Sequence, residues 1–423
     1  MKLSKYNVLK RTDSGILIMN TRSGGILSLN SFYSAEFEKM QAEDCYKTGE
    51  LVEELKKGGM LVDDDRDEYQ EIMTQSILER FSNTSLSLTI APTMACNFCC
   101  PYCYEKGQKF TTMTEETINS LVKFIENNFP HISDLFIGWY GGEPLLAIEQ
   151  IQEITDRLKK AIPSNCLYHA SIVTNGYFLT PQISNILKKC DVSSAQITLD
   201  GSKKDHDSRR VPQDGSPTYE RILQNVKESS DIIDISIRIN VDKSNILAAN
   251  ELLLYLEKNG LKNKVHFYLA PVDDINNVCA NSNMCFTIQE FSEEEIAFYE
   301  SAISFGFKPA IHGGISLGIC GAVEANSYVI DPLGDLYKCW DDIGRVERKV
   351  GTIFNPPMLT HNMMHWLNYF PNSIECKECF AFPMCMGGCP NVALHSSQKK
   401  CASMRYNAEK KLVLAQRMKN MGN

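Results

Sequence analysis

The chain has 423 residues, too many for one hydrophobic core and enough for two or three domains. Its 43 lysines and arginines against 52 aspartates and glutamates give a formal net charge of -9, so no global cationic field favours nucleic acid, and no run of about 18 apolar residues reads as a membrane span. Polar residues follow Met1 without the apolar core of a secretory signal, and sixteen cysteines then point to metal or redox chemistry in a reducing cytoplasm rather than to disulfides.

Residues 1–84 open with three short strand-like runs, YNVLK, GILIMN and GGILSL, broken by turn signals at 13–15 and 24–25. Two helical stretches follow, Ser31 to Gln41 and Thr48 to Lys57, the second capped by Thr48 and closed by Gly58 and Gly59 before the apolar run MLV. Strands, two helices and a short wing predict a winged-helix-like module. The acidic stretch from Asp63 to Glu68 reads as a solvated linker face.

Across residues 85–310 apolar strands alternate with amphipathic helices. The strands are SLSLTIA, DLFIGWY, ASIVTNG, SAQITLD, DISIRINV and VHFYLAP, and between the first two Ile118, Leu121, Val122 and Ile125 fall at helical spacing behind the cap Thr114. Six such units predict an α/β fold, a partial (β/α)6 TIM-type barrel with its reactive groups at the C-terminal strand ends. Residues 311–423 are rich in cysteine, glycine and proline, with little periodicity before a last helix at about Ser403 to Lys419, so metal ligation is expected to stand in for an apolar core.

Two cysteine groups carry the chemistry. The first, CNFCCPYC, ends at Cys103 and follows the first barrel strand. As pairs, Cys96-x2-Cys99 and Cys100-x2-Cys103 could hold one zinc; as a triad, Cys96-x3-Cys100-x2-Cys103 supplies three thiolates to a 4Fe-4S cluster with one iron open, leaving Cys99 a structural role. The second group comprises Cys320, Cys339, Cys376, Cys379, Cys385, Cys389 and Cys401, with Gly334 before Cys339.

The triad, with Tyr102 before its last cysteine, resembles the hallmark of radical SAM enzymes. That resemblance implies that Cys96, Cys100 and Cys103 hold three irons, that the fourth takes the amino and carboxylate groups of S-adenosylmethionine, and that one electron yields a 5'-deoxyadenosyl radical. Gly141-Gly142-Glu143-Pro144 ends the second strand, where glycines permit close backbone approach and Glu143 can accept from an ammonium group; it resembles the family's segment for the methionyl amino group. Tyr102, Thr174, Asn175 and Asp200 fall at further cofactor positions by the same resemblance. So do Arg238 and Asn240, which share one face of the fifth strand and match residues set against the cofactor's carboxylate and ribose. LDGSKKDHDSRR resembles the LDG...HD..R segment of peptide-acting members, with His206, Asp207 and Arg209 or Arg210 in the matching places.

The seven later cysteines are similar to the SPASM domain, the twin-cluster extension of radical SAM enzymes that modify peptides and proteins. Its ligand order places one 4Fe-4S cluster on Cys376, Cys379, Cys385 and Cys401 and another on Cys320, Cys339 and Cys389, three clusters in all. Cys279 or Cys285 is a candidate fourth ligand for the latter; an open iron could instead take a substrate sulfur. The resemblance implies a maturase of a ribosomally made precursor peptide, with a leader and a cysteine-rich core, fed by an electron donor such as flavodoxin or ferredoxin. The N-terminal module is similar in topology to leader-binding elements that take peptide as an added strand. GDLYKCWDDIG is similar to thioether-forming members. A sulfatase-maturating, formylglycine-generating enzyme is the alternative, but such enzymes carry Asp directly after the second SPASM cysteine, where Trp340 stands here and displaces Asp341 by one. A non-catalytic iron-sulfur electron carrier is a third reading, from a different class.

Overall fold

The structure, a computed structural model, describes residues 1–103, 105, 107, 110–273, 282–311, 320–355, 359–396 and 399–421. Contacts gather the chain into two units, each discontinuous in sequence. One comprises Met1–Arg80, Thr287–Cys320 and Tyr369–Asn423; the other comprises Phe81–Phe286 and Gly321–Asn368. Among the described residues no helix is long and apolar enough to cross a membrane.

In the first unit, β1 (Lys2–Leu3) is followed by a meander of β2 (Asn7–Thr12), β3 (Gly15–Asn20) and β4 (Ile26–Leu29). After helices Ser31–Glu43 and Glu50–Lys57, β5 (Leu61–Val62) returns antiparallel to β1. The apolar run of β3 has a direct cause. Ile16 and Ile18 pack with Phe37, Leu51, Val52 and Leu55 of the two helices, while Leu17 and Met19 pack with Met404, Ala408 and Leu412 of the C-terminal helix Met404–Met421. A strand covered on both faces needs apolar residues at both parities.

Two readings of this segment are corrected. Thr48 does not cap the second helix; Gly49 does, without a side-chain bond and at a φ of 146° that favours glycine. Glu68 is not on a solvated face: it is buried, accepts from Ser4 Oγ at 2.6 Å and Lys5 N at 3.0 Å, and begins the unforeseen helix Glu68–Arg80. That helix buries Tyr69, Ile72 and Met73 but exposes Ile77 and Leu78, so its sequence shows no single apolar stripe.

The second unit holds the six foreseen strands in parallel: β6 (Ser85–Ile90), β7 (Asp134–Trp139), β8 (Leu167–Thr174), β9 (Val192–Thr198), β10 (Asp234–Val241) and β11 (Val265–Pro271). From β6 to β11 they lie side by side in chain order, the partial-barrel arrangement. Segment 321–352, read as loop, extends this sheet: β12 (Ser327–Ile330) lies parallel to β6, then β13 (Asp335–Tyr337) and β14 (Gly351–Thr352) run antiparallel. Strands of two to four residues show too little alternation to be read locally. Along β10, Ile235, Ile237, Ile239 and Val241 are fully buried while Ser236, Arg238 and Asn240 on the opposite face are less so, which gives this strand one polar face.

Candidate active site at the strand ends

The cysteine triad lies in the loop after β6, and backbone pairing closes that loop at its base. Met94 N donates to Thr111 O at 2.8 Å, Met113 N to Pro92 O at 2.8 Å, and Thr93 pairs with Thr112 as an isolated bridge. Within the loop Phe98 N donates to Cys96 Sγ at 3.4 Å, and Cys103 N to Cys100 O at 3.2 Å. Cys99 has an exposed thiol, and its N–H donates to Val211 O at 2.6 Å, so its backbone is what the structure uses.

The loop is seated by the segment after β7. Gly141 has a φ of 105°, and a Cβ there would stand 2.4 Å from Thr93 O; a Cβ on Gly142 would stand 2.5 Å from Ala95 O. Only glycine permits this approach, which lets Gly142 N donate to Thr93 O at 3.2 Å and Glu143 N to Ala95 O at 2.8 Å. The Glu143 carboxylate is fully buried and accepts from Leu145 N at 3.0 Å, Thr174 Oγ1 at 2.7 Å and Asn175 N at 2.7 Å. Burial pushes its proton affinity up against those three donors. Glu143 therefore clamps the ends of β7 and β8 together, and Asn175 extends the clamp through Nδ2 to Asn97 Oδ1 at 2.8 Å in the cysteine loop.

Asp200, beyond β9, anchors the other side. Tyr102 OH donates to Asp200 Oδ2, which also accepts from Arg209 Nε at 3.2 Å; Arg209 Nη1 donates to Asp242 Oδ2 at 2.6 Å and its guanidinium lies 5.0 Å from the Tyr102 ring centroid. Asn245 Nδ2 bonds Asp200 O at 3.0 Å and Asn240 O at 2.9 Å. Arg238 Nε donates to Asn240 Oδ1 at 2.8 Å. Asn97, Asp242 and Asn245 were missed in the sequence; the alternation Arg238, Asn240, Asp242 was the available signal for the second.

His206 and Asp207 serve the scaffold. Asp207 Oδ1 accepts from Thr218 N and Tyr219 N at 2.8 and 2.9 Å, at the start of helix Tyr219–Ser229. His206 is fully buried; its Nδ1 accepts from Asp200 N at 3.3 Å, which assigns the proton to Nε2, 3.2 Å from Thr218 Oγ1. Burial lowers its pKa from 6.5 to about 3, so an unfolded chain takes up a proton that the folded one refuses. Stability should therefore fall as pH drops from 6.5 toward 3, by about 1.4 kcal/mol per pH unit from this group. His206→Gln is expected to flatten that limb in urea unfolding followed across pH, and an unchanged slope would remove His206 as the cause.

The donor set fits an iron-sulfur centre. Cys96, Cys100 and Cys103 interact electrostatically, and none forms a disulfide. Burial pushes the Cys96 thiol up to about 12, the Cys103 thiol up to about 11 and Cys100 upward as well, so positive charge must be supplied to hold three thiolates here. Buried Asp200 Oδ1, Arg209 Nη2 and Arg210 Nε have no partner among the described residues. No group of three or more His, Cys, Asp or Glu among the described residues is placed to hold a single metal ion.

Among the later cysteines, Cys385 lies in the field of Cys401, Cys379 and Cys376, and its thiol is raised by burial. Arg405 Nη1 stands 3.4 Å from Cys401 Sγ. Cys320 and Cys389 belong to the same unit as these four; Cys339 and Cys285 belong to the barrel unit. Cys339 Sγ is 3.7 Å from Asp341 Oδ2, and the half-exposed Trp340 stacks on Tyr140, ring centroids 6.2 Å apart. Cys279 lies outside the described residues.

Residues 90–244, which hold the cysteine triad and the ends of β6 to β9, match the family model of the radical SAM superfamily. That segment is therefore similar to the radical SAM domain. The chain is similar to the radical SAM cyclopropyl synthase TigE of Paramaledivibacter caminithermalis, 24% identical with 96% of this chain and 92% of that protein covered. It is also similar to a cysteine-type anaerobic sulfatase-maturating enzyme of Clostridium novyi, 23% identical over 72% of this chain and 88% of that protein. Its fold matches the structure of native anSMEcpe with bound AdoMet and Kp18Cys peptide, with a TM-score of 0.63 and 20% identity over 80% of this chain and 99% of that one.

Proposed function

We propose that the protein is a radical SAM maturase that installs sulfur-to-carbon thioether links in a ribosomally made, cysteine-rich precursor peptide. The observation that carries the radical chemistry is the half-buried three-thiol loop held between Glu143 and Asp200 at the C-terminal strand ends. Cys96, Cys100 and Cys103 would hold a 4Fe-4S cluster, and Arg238 and Asn240 on the polar face of β10 would meet the carboxylate and ribose of S-adenosylmethionine. When bound, these two groups supply a carbon radical that abstracts hydrogen from unactivated carbon. The chain's own part is rigidity: Glu143 and Asp200 fix the loop from two sides, so that a reacting carbon meets a constant geometry.

Cys376, Cys379, Cys385 and Cys401 are assigned to one auxiliary cluster of a SPASM domain, and Cys320, Cys339 and Cys389 to another. Peptide as substrate is supported by the relatives, whose names or bound ligands include peptides and protein maturation. Among the described residues, β2 and β4 of the meander each pair on one side, so a leader could add as a further strand. A low-potential flavodoxin or ferredoxin would supply electrons.

A second reading, carbon-to-carbon linkage, is favoured by the 96% span of the match to a cyclopropyl synthase. Mass spectrometry with alkylation separates the readings. Each thioether should lower the peptide mass by two hydrogens and protect one cysteine from alkylation. The same loss with every thiol still alkylated would replace the thioether by a carbon-to-carbon link, and loss of the cysteine sulfur would select formylglycine formation.

A further inference from the structure

Arg210 differs from its neighbour in its direct partners. Arg209 is matched by two carboxylates, Asp200 at 3.2 Å and Asp242 at 2.6 Å. Arg210 Nη1 instead donates to the neutral Tyr102 hydroxyl at 3.2 Å, its buried Nε has no partner, and among the described residues no carboxylate forms an ion pair with it. The segment that carries it is stitched to the cysteine loop at three points. Cys99 N donates to Val211 O at 2.6 Å, Phe98 and Pro212 form an isolated antiparallel bridge, and the Arg210 guanidinium lies 5.7 Å from the Phe98 ring centroid.

A guanidinium stays charged at any working pH, and in a buried site its field is screened far less than in water. The Arg210 charge favours the thiolates of Cys100 and Cys103 against the burial that opposes them and, at Cys100, against the Asp200 carboxylate that Arg210 also faces; it acts on the Glu143 carboxylate as well. Reduction adds one negative charge to an iron-sulfur cluster, so a fixed cation beside its ligands stabilises the reduced form, and protein charge is one of the levers that set such potentials.

We propose that Arg210 is a positioning residue that raises the reduction potential of the cluster held by Cys96, Cys100 and Cys103, its charge being delivered to that loop by the pairing of 98–99 with 211–212. The proposal rests on the cluster assignment made above. It concerns one electron, delivered by the external donor, with no bond made or broken at Arg210.

The test uses the reconstituted full-length protein, titrated with dithionite in the presence of mediators. The midpoint is read from the EPR signal that changes on adding S-adenosylmethionine. Arg210→Gln and Arg210→Met are expected to shift that midpoint to more negative potential, and Arg210→Lys to keep most of the wild-type value. An unchanged midpoint in both neutral variants would overturn the proposal, as would an equal shift in Arg210→Lys, which would make shape rather than charge the cause. Loss of the cluster from both neutral variants would also overturn it, by making Arg210 an assembly residue. A wild-type protein with no signal responsive to S-adenosylmethionine would overturn the cluster assignment itself, and the proposal with it.

Discussion

Replacing Cys96, Cys100 and Cys103 together with alanine is expected to abolish reductive cleavage of S-adenosylmethionine while leaving about two thirds of the iron, on the assignment of two further clusters to the later cysteines. The variant should fold. The loop is closed at its base by Met94, Thr93 and Met113 backbone bonds, and seated by Gly142 and Glu143 backbone bonds, none of which uses a thiol. Iron analysis and 5'-deoxyadenosine measured by chromatography read the two halves of the result. Retained cleavage would dismiss the triad as the cluster site. Cys99→Ala should change neither quantity, because the exposed Cys99 thiol is remote in role from its backbone bond to Val211.

Glu143→Ala is expected to damage both folding and cofactor chemistry. The fully buried carboxylate serves Leu145 N, Thr174 Oγ1 and Asn175 N, and its loss leaves three buried donors unpaired. A charged hydrogen bond is worth about 1.5–3 kcal/mol, so a loss of about 3 kcal/mol or more is expected. Glu143→Gln should lose less, since one carbonyl oxygen survives to accept, but its amide faces a donor it cannot satisfy. The barrel unit's urea midpoint and the iron content after reconstitution should fall together. A Glu143→Ala protein of wild-type stability would show that the clamp is not what holds β7 to β8.

Much of the barrel was legible because its strands are long enough to alternate and its helices carry local caps. Thr114 accepts from Thr117 N as its position suggested, and DISIRINV occupies β10 over its whole length. Other features depend on partners far away in sequence. Glu68 looked like one more acid in a charged run until Ser4 and Lys5 closed on it. β12 is only four residues long and owes its place to pairing with β6, some 240 residues earlier. The C-terminal helix Met404–Met421 was expected as an ending, yet its apolar face covers β2 and β3 near the other end of the chain.

The site divides the same way. The cysteine spacing and the paired glycines are local signals, and the glycines prove necessary for close approach, though to the cysteine loop itself. Glu143, expected to receive an ammonium group, has its carboxylate engaged by three protein donors. The contacts of Asn175 with Asn97 and of Tyr102 with Asp200 and Arg210 join four different loops, and no window of sequence displays them.

The central claim is that a radical generated at the Cys96, Cys100 and Cys103 loop takes hydrogen from a peptide. The most direct measurement incubates the reduced, reconstituted protein with S-adenosylmethionine and a deuterated copy of the cysteine-rich precursor peptide, then determines the isotopic content of the 5'-deoxyadenosine formed. Deuterium in that product, matched by loss of two hydrogen equivalents from the peptide for each link, is the predicted result. 5'-Deoxyadenosine formed without deuterium while the peptide is modified would contradict the account.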